Sequence, residues 1–538
     1  MHWENFGVFR ILRPDNEVIA AIRDEAQTHL FNTYSPGVYT DANLINQIIQ
    51  HQYEFYKNKL NEYVDVIASD GFIAYLMDQY DKASNIEYAY KSRSLSSIDE
   101  QNWLKIGKIF RRTIKYLAEK YTILNGEGQY SDNQRFAHER LDYVWVFAEE
   151  LVDMYMQSDL VYGVFPNITT LELKDSAPNN YYFILSLAED YNIQEDIRID
   201  TENRLRFLGP NNESPLTNVP LQDQYLGNAF LSNLGISYND VLAILYSIID
   251  DATPHYANYF SGILVSKQHL INSIAESFRL PLQAVESAIS GFLLTKNNME
   301  SEGRELWRPQ QEYRAFRRGF FEIWQPSGQY ICFSKMMARE CYFSLVCEIP
   351  FQKIPSEWNN DNIEITQALQ HLSNKAGDWF EDVTHRNLQN LGIIGLKRQN
   401  RWIGQTPNRI SIPSDVGELD YIGYSPRENI LILIECKLVK SSAEPAFFRD
   451  DISAFITGRN SYLNKFNRKV QWVREHILEI CSVLASCNGF PNPIDTTVLK
   501  TAIITHYPSI VQCLIHDHTC ISLTNFILAY QRSNEWPV

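Results

Sequence analysis

Closely spaced cysteine pairs are missing from this chain. Its eight cysteines run from Cys332 to Cys520 and no two are three positions apart, which excludes zinc-ribbon and thioredoxin-type motifs. Most sit in apolar stretches, where a free thiol acts as a small buried hydrophobe. His516 and His518 flank Asp517 in what reads as a polar turn before a last strand, not a metal site. No apolar run is long enough to cross a bilayer, and Met1 to Phe6 lacks the basic-then-apolar start of a secretory signal. The expectation is a cytoplasmic protein with no membrane partner. Glycine-rich phosphate loops, dinucleotide fingerprints and tandem repeats are also absent, so no ATP-driven motor is legible.

Basic side chains are in short supply, with 48 Lys and Arg against 65 Asp and Glu and a net charge of −17. The deficit is uneven. From Ser356 on there are about 17 basic and 19 acidic residues, so an excess of roughly −15 lies upstream. Phosphate binding needs accessible Lys and Arg. The acidic N-terminal part therefore reads as a region for regulation, oligomerisation or partner binding.

A chain of 538 residues, 45% hydrophobic and 21% charged, has the composition of a folded protein of several domains. Apolar and aromatic residues recur at helical spacing over Leu44 to Tyr80, Trp103 to Tyr121 and Phe136 to Met156. The tyrosines there (Tyr53, Tyr56, Tyr63, Tyr75, Tyr80, Tyr88, Tyr90) fit a core better than a base-stacking surface. Residues 1–160 are expected to form a helical domain, and 161–355 a mixed, mainly helical region that is loop-rich from about Gly163 to Asn228. Within it, residues 266–294 resemble a helix-turn-helix, with Ser266 as N-cap and Pro281 opening the second helix. That helix offers Gln283, Glu286 and Ser287 but no Lys or Arg, so an αα-hairpin packed into the protein is the stronger reading. Arg304, Arg308, Arg314, Arg317 and Arg318 form a more basic stretch that would meet nucleic acid or an acidic neighbour.

The most informative segment lies in 356–538. Gly417 to Tyr424 is short and alternating, Pro426 to Asn429 supplies a polar reversal, and Ile430 to Ile434 is an aliphatic, mostly β-branched run suited to a central strand. Glu435 and Lys437 follow it, two apart and so on one face, with Cys436 on the other. An antiparallel neighbour would bring Asp420 beside Glu435. Two carboxylates, with the Cys436 carbonyl, make an oxygen site for a hard cation, Mg²⁺ or in its place Mn²⁺.

Asp420 with Glu435-x-Lys437 resembles the PD-(D/E)XK nuclease superfamily, the restriction-endonuclease-like fold, over about the last 180 residues. Leu419 stands where many members carry proline. The resemblance implies an α/β C-terminal domain, a central mixed sheet flanked by helices, behind the mostly α-helical N-terminal region. It implies metal ligation by Asp420, Glu435 and the Cys436 carbonyl, with Lys437 orienting or deprotonating water. An earlier helical acid, which would complete the metal's shell or recruit a second ion, matches Glu381, with Asp382 as the alternative, on a helix from about Ile363 to Leu391. Phe447 to Leu484 reads as one or two helices, Thr497 to Thr505 as a strand, and Ile521 to Tyr530 as a helix or strand. Lys465 and Lys469, four apart on one helix face, would grip phosphates together with Arg468, or form a solvated surface. The expected function is a metal-dependent endonuclease of a prokaryotic defence or restriction type, gated by its N-terminal region. Double-stranded DNA is the expected substrate, and a dimer, or a partner protein held by the acidic region, is expected. The alternatives are an RNA-directed nuclease of this fold and a catalytically silent scaffold or sensor.

Overall fold

The computed structural model describes all residues except 65–68, 126–133, 166–168, 176–181, 188–192, 210–212, 252–262, 301–305, 307–311, 360, 407, 441–444, 489–493 and 538. The chain is mixed α/β and divides into two compact units. One takes Met1–Glu189 and Val219–Gln370, the other Asp190–Asn218 and His371–Val538. This grouping differs from three consecutive segments, because Asp190–Asn218 joins the C-terminal unit.

The first unit is mostly helical. Helix Ala42–Val64 buries Ile45, Ile48, Ile49, Gln52, Tyr53, Tyr56 and Leu60, the three-and-four spacing of one helix face. A second helix, Ser69–Lys91, follows, so the stretch expected over Leu44 to Tyr80 is two helices. Ser97–Asn125 and Gln134–Asp159 are the other long ones, and Trp145 packs against Tyr75 and Phe110 between them. Tyr53, Tyr56, Tyr75 and Tyr80 are buried core, whereas Tyr88 is exposed. The interval expected to be loop-rich contains strands Thr169–Leu173 and Phe183–Leu187, paired with each other.

Residues 266–294 do form two helices, Lys267–Phe278 and Leu282–Ser290, turning through Arg279 in the left-handed region (φ 56). Pro281 stands at the cap of the second helix, one position before its first turn. The pair is attached to a four-stranded sheet ordered Ile263–Ser266, Gly328–Phe333, Phe320–Gln325, Leu293–Leu294. The second helix is tied down at its end: the Ser287 carbonyl accepts from Trp358 Nε1 at 3.1 Å and the Ser290 carbonyl from Arg318 Nη1 at 3.2 Å. These contacts belong to a packed αα-hairpin. The nearby arginines meet acids, Arg314 at Glu119 (3.0 Å) and Arg318 at Glu357 (2.7 Å). Arg304 and Arg308 lie outside the described residues.

The second unit is built on a five-stranded mixed sheet ordered Ile394–Gln399, Leu419–Ser425, Ile430–Lys437, Leu499–Thr505, Thr519–Ser522. The first three strands are antiparallel, and the last two join in parallel. Parallel neighbours need a crossover, and helices Pro445–Ile452, Tyr462–Glu475 and Ile477–Asn488 supply it between the third and fourth strands. The hairpin reverses through Pro426 to Asn429, with Asn429 left-handed (φ 53) and bonded by the Tyr424 hydroxyl at 2.8 Å. The expected final element is both a strand, Thr519–Ser522, and a helix, Leu523–Ser533.

Sheet parity sorts the central strand into two environments. Ile430, Ile432, Ile434 and Cys436 face a core with Phe380 and Val383 of helix Ile363–Asn390, Phe526 and Ile527 of helix Leu523–Ser533, and Phe207. Gly392 (φ 80) ends helix Ile363–Asn390, and the Ile393 N–H turns back to the Leu388 carbonyl at 3.0 Å. Helix Ile193–Leu208 belongs to this unit through a Ser522 hydroxyl that donates to Asp200 (2.8 Å) and an Asn387 amide that donates to the Phe207 carbonyl (2.8 Å). Leu431, Leu433 and Glu435 face the opposite side, where helix Tyr462–Glu475 reaches Glu435.

Candidate active site

Strand register brings the two expected acids together. Tyr421 pairs with Ile434, so one step further Asp420 stands opposite Glu435. The Cys436 N–H donates to Asp420 Oδ2 at 2.8 Å and fixes that carboxylate at the strand end. Lys437 Nζ lies 2.7 Å from Glu435 Oε1, 3.7 Å from Asp420 Oδ2 and 3.0 Å from the Cys436 carbonyl, with the Tyr462 ring 5.1 Å away. Asp420, Glu435 and Lys437 are thus one cluster.

A fourth charge joins them. Lys469 is buried on helix Tyr462–Glu475 beside Phe466, Val470 and Val473. Its Nζ lies 2.6 Å from Glu435 Oε2 and 3.8 Å from Asp420 Oδ1. The three basic residues assigned to a phosphate grip are therefore divided: Lys465 and Arg468 are exposed, and Lys469 is inside the site. The spacing 466, 469/470, 473 is itself an inward helix stripe, and that signal identifies Lys469 from sequence. Glu418 is a further acid beside the cluster. It stands at the exposed rim, two residues before Asp420, and its carboxyl is raised by partial burial and by the Asp420 charge, against the pull of Lys469.

Glu381 lies near enough for its charge to act on the Cys436 thiol, but its bonded partner is an arginine. Its helix packs on the Cys436 side of the sheet, and Arg398 Nε holds its Oε2 at 2.6 Å. Burial raises the Glu381 carboxyl, with Arg398 opposing. Asp382 is likewise taken, by Arg398 at 3.1 Å and by Lys397. Phe380 and Val383 point into the core, and that fixes the phase of Glu381 on the helix.

The environments push the two site acids apart. Burial, then the nearby Glu435 charge, lifts Asp420 to about 6, although Lys437 and Lys469 oppose this. Burial also works against Glu435, but the two lysines outweigh it and hold that carboxyl below its ordinary range. Lys437 is desolvated, yet Glu435 and Asp420 keep its ammonium charged well above the usual range. Such separation of neighbouring titrating groups is common at functional sites.

The donors suit a hard cation in part. Among the described residues Asp420 Oδ1 has only the long Lys469 contact, and burial followed by the Glu435 charge raises the Asp420 carboxyl. Among the described residues, no group of three or more His, Cys, Asp and Glu is arranged to hold a metal ion. Mg²⁺ needs no such cage, since one or two carboxylates with waters and a substrate phosphate suffice. In this cluster Asp420 and Glu435 are the residues that could hold such an ion. No protein-family description, curated protein or solved structure matches the chain.

Proposed function

We propose that this chain is a metal-dependent endonuclease with the restriction-endonuclease-like fold in its C-terminal unit, acting on DNA. The observation that carries the reading is the Asp420–Glu435–Lys437 cluster at the end of a central strand, with Lys437 Nζ 2.7 Å from Glu435 and 3.7 Å from Asp420. The mixed sheet with an antiparallel hairpin, a helical crossover and a parallel strand supports the same assignment.

In the reaction one water oxygen bonds to phosphorus, one ester P–O bond breaks, and the proton lost by water is balanced by one gained on the leaving oxygen. Asp420 and Glu435 would hold a divalent ion, which would supply Lewis acidity toward the phosphate and the attacking water. Lys437 Nζ, fixed by Glu435 and the Cys436 carbonyl, orients the attacking water and offsets the negative charge that grows on phosphate. Lys465 and Arg468, exposed on helix Tyr462–Glu475, would meet backbone phosphates. The acidic first unit would control the cut, as in a defence or restriction effector, and a pair of chains would supply the two sites that a double-strand cut needs.

A silent scaffold is the second reading, favoured by one observation: both oxygens of Glu435 are already taken by lysines. Incubating the full chain with Mg²⁺ and labelled duplex DNA, or the same sequence as RNA, separates the readings. Cutting of DNA supports the proposal, cutting of RNA alone moves the substrate, and binding without cutting supports the scaffold.

A further inference from the structure

We infer that the ammonium of Lys469 takes the place of a second metal ion, so that the site accepts a single divalent cation. The inference rests on the nuclease reading and deepens it.

The geometry is that of a bridging cation. Lys469 Nζ lies 2.6 Å from Glu435 Oε2 and 3.8 Å from Asp420 Oδ1, so one charge spans both acids. Lys437 spans the same pair from the other oxygens, at 2.7 Å and 3.7 Å. In two-metal phosphoryl sites, paired ions stabilise both the attacking and the leaving oxygen from such positions. Lys469 is no surface residue leaning inward, because its side chain is 9% exposed and is carried by a helix whose Phe466, Val470 and Val473 are buried around it.

Glu435 and Lys437 already cancel, and a further buried ammonium carries a desolvation cost that partners must offset. Its partners are Glu435 again and Asp420, the two groups that would bind a cation.

Charge counting gives the same answer. Asp420, Glu435, Lys437 and Lys469 sum to zero. One divalent ion leaves two positive charges, which match the two negative charges of a phosphodiester under attack by hydroxide. A second divalent ion would leave two uncompensated charges among buried groups, an arrangement that burial penalises.

The test is to titrate the full chain with Mn²⁺ alone, counting bound ions by electron paramagnetic resonance and calorimetry, and then to measure cleavage against Mg²⁺ concentration. The expected result is one ion per chain, lost in Asp420→Asn, with cleavage first order in Mg²⁺. Lys469→Arg keeps one ion. Lys469→Met, checked by its melting curve, takes two, and its remaining cleavage becomes second order. If wild type binds two ions at the Asp420 site and cuts, the inference falls while the nuclease reading stands. A folded Lys469→Met chain that keeps one ion and wild-type cleavage also overturns the inference, since a purely structural salt bridge gives that result. If wild type binds no ion and cuts nothing, both fall. A wild-type count of two overturns the inference even if Lys469→Met does not fold.

Discussion

Lys469 Nζ and Glu435 Oε2 meet at 2.6 Å although 34 residues separate them in sequence. One end of the contact is on the central strand of a sheet and the other on a crossover helix, and both side chains are nearly closed to solvent. Helix, strand and charge cluster are thereby coupled, and changes to the site are readable in stability as well as in catalysis.

Glu435→Ala should be strongly destabilising. It leaves Lys437 and Lys469 as two buried ammonium groups with Asp420 alone to compensate them. Breaking a buried pair from one side costs about 3–5 kcal/mol. Urea unfolding followed by circular dichroism measures this, and a loss below about 1 kcal/mol would mean that water reaches the cluster freely.

Cation binding should depend on pH through Asp420. Because its folded carboxyl is raised to about 6, the proton is held more tightly in the folded chain than in the unfolded one. The resulting stabilisation is fully present below the ordinary carboxylate range and is lost as pH rises to about 6. Glu435 is lowered and has the opposite sign, adding stability that disappears only in stronger acid. A cation competes with the proton on Asp420, so Mn²⁺ affinity should rise about tenfold per pH unit below about 6 and then level off. Affinity that is flat across that window would remove Asp420 from the ligand set.

Gly423→Ala should disturb the site without touching a charge. Gly395 and Gly423 face each other across neighbouring strands, and the Tyr421 ring occupies the space above both. A Cβ at Gly423 would meet Tyr421 Cε1 at 2.6 Å, and one at Gly395 would meet the Ile422 carbonyl oxygen at 2.4 Å. Moving Tyr421 moves its neighbour Asp420. The expected loss is about 1–3 kcal/mol of stability from overpacking, with cleavage by the folded variant down at least about tenfold. Unchanged melting and cleavage would show that the ring has room to move.

Much of the C-terminal architecture was legible because its local signals agree. The aliphatic run Ile430 to Ile434, the turn residues Pro426 to Asn429 and the helical periodicity before Leu391 each report their own element. The four-residue spacing of Lys465 and Lys469 suggests one shared helix face, whereas Phe466, Val470 and Val473 turn Lys469 inward. Glu381 was matched by type and position, but its helix phase is set by Phe380 and Val383 and its charge by Arg398. Helix Ile193–Leu208 was hidden by the turn-rich sequence around it. Its membership of the second unit depends on contacts such as Asp200 with Ser522, 322 residues apart, which no local pattern encodes.

The central claim is that Asp420, Glu435 and Lys437 form a hydrolytic site for phosphodiesters. The most direct measurement is plasmid cleavage by the full chain in Mg²⁺ or Mn²⁺, with Asp420→Ala and Lys437→Ala alongside. The account predicts nicking or linearisation by wild type, abolished by chelator and reduced by at least about a hundredfold in each variant. Equal cutting by all three proteins would contradict it and place the chemistry elsewhere.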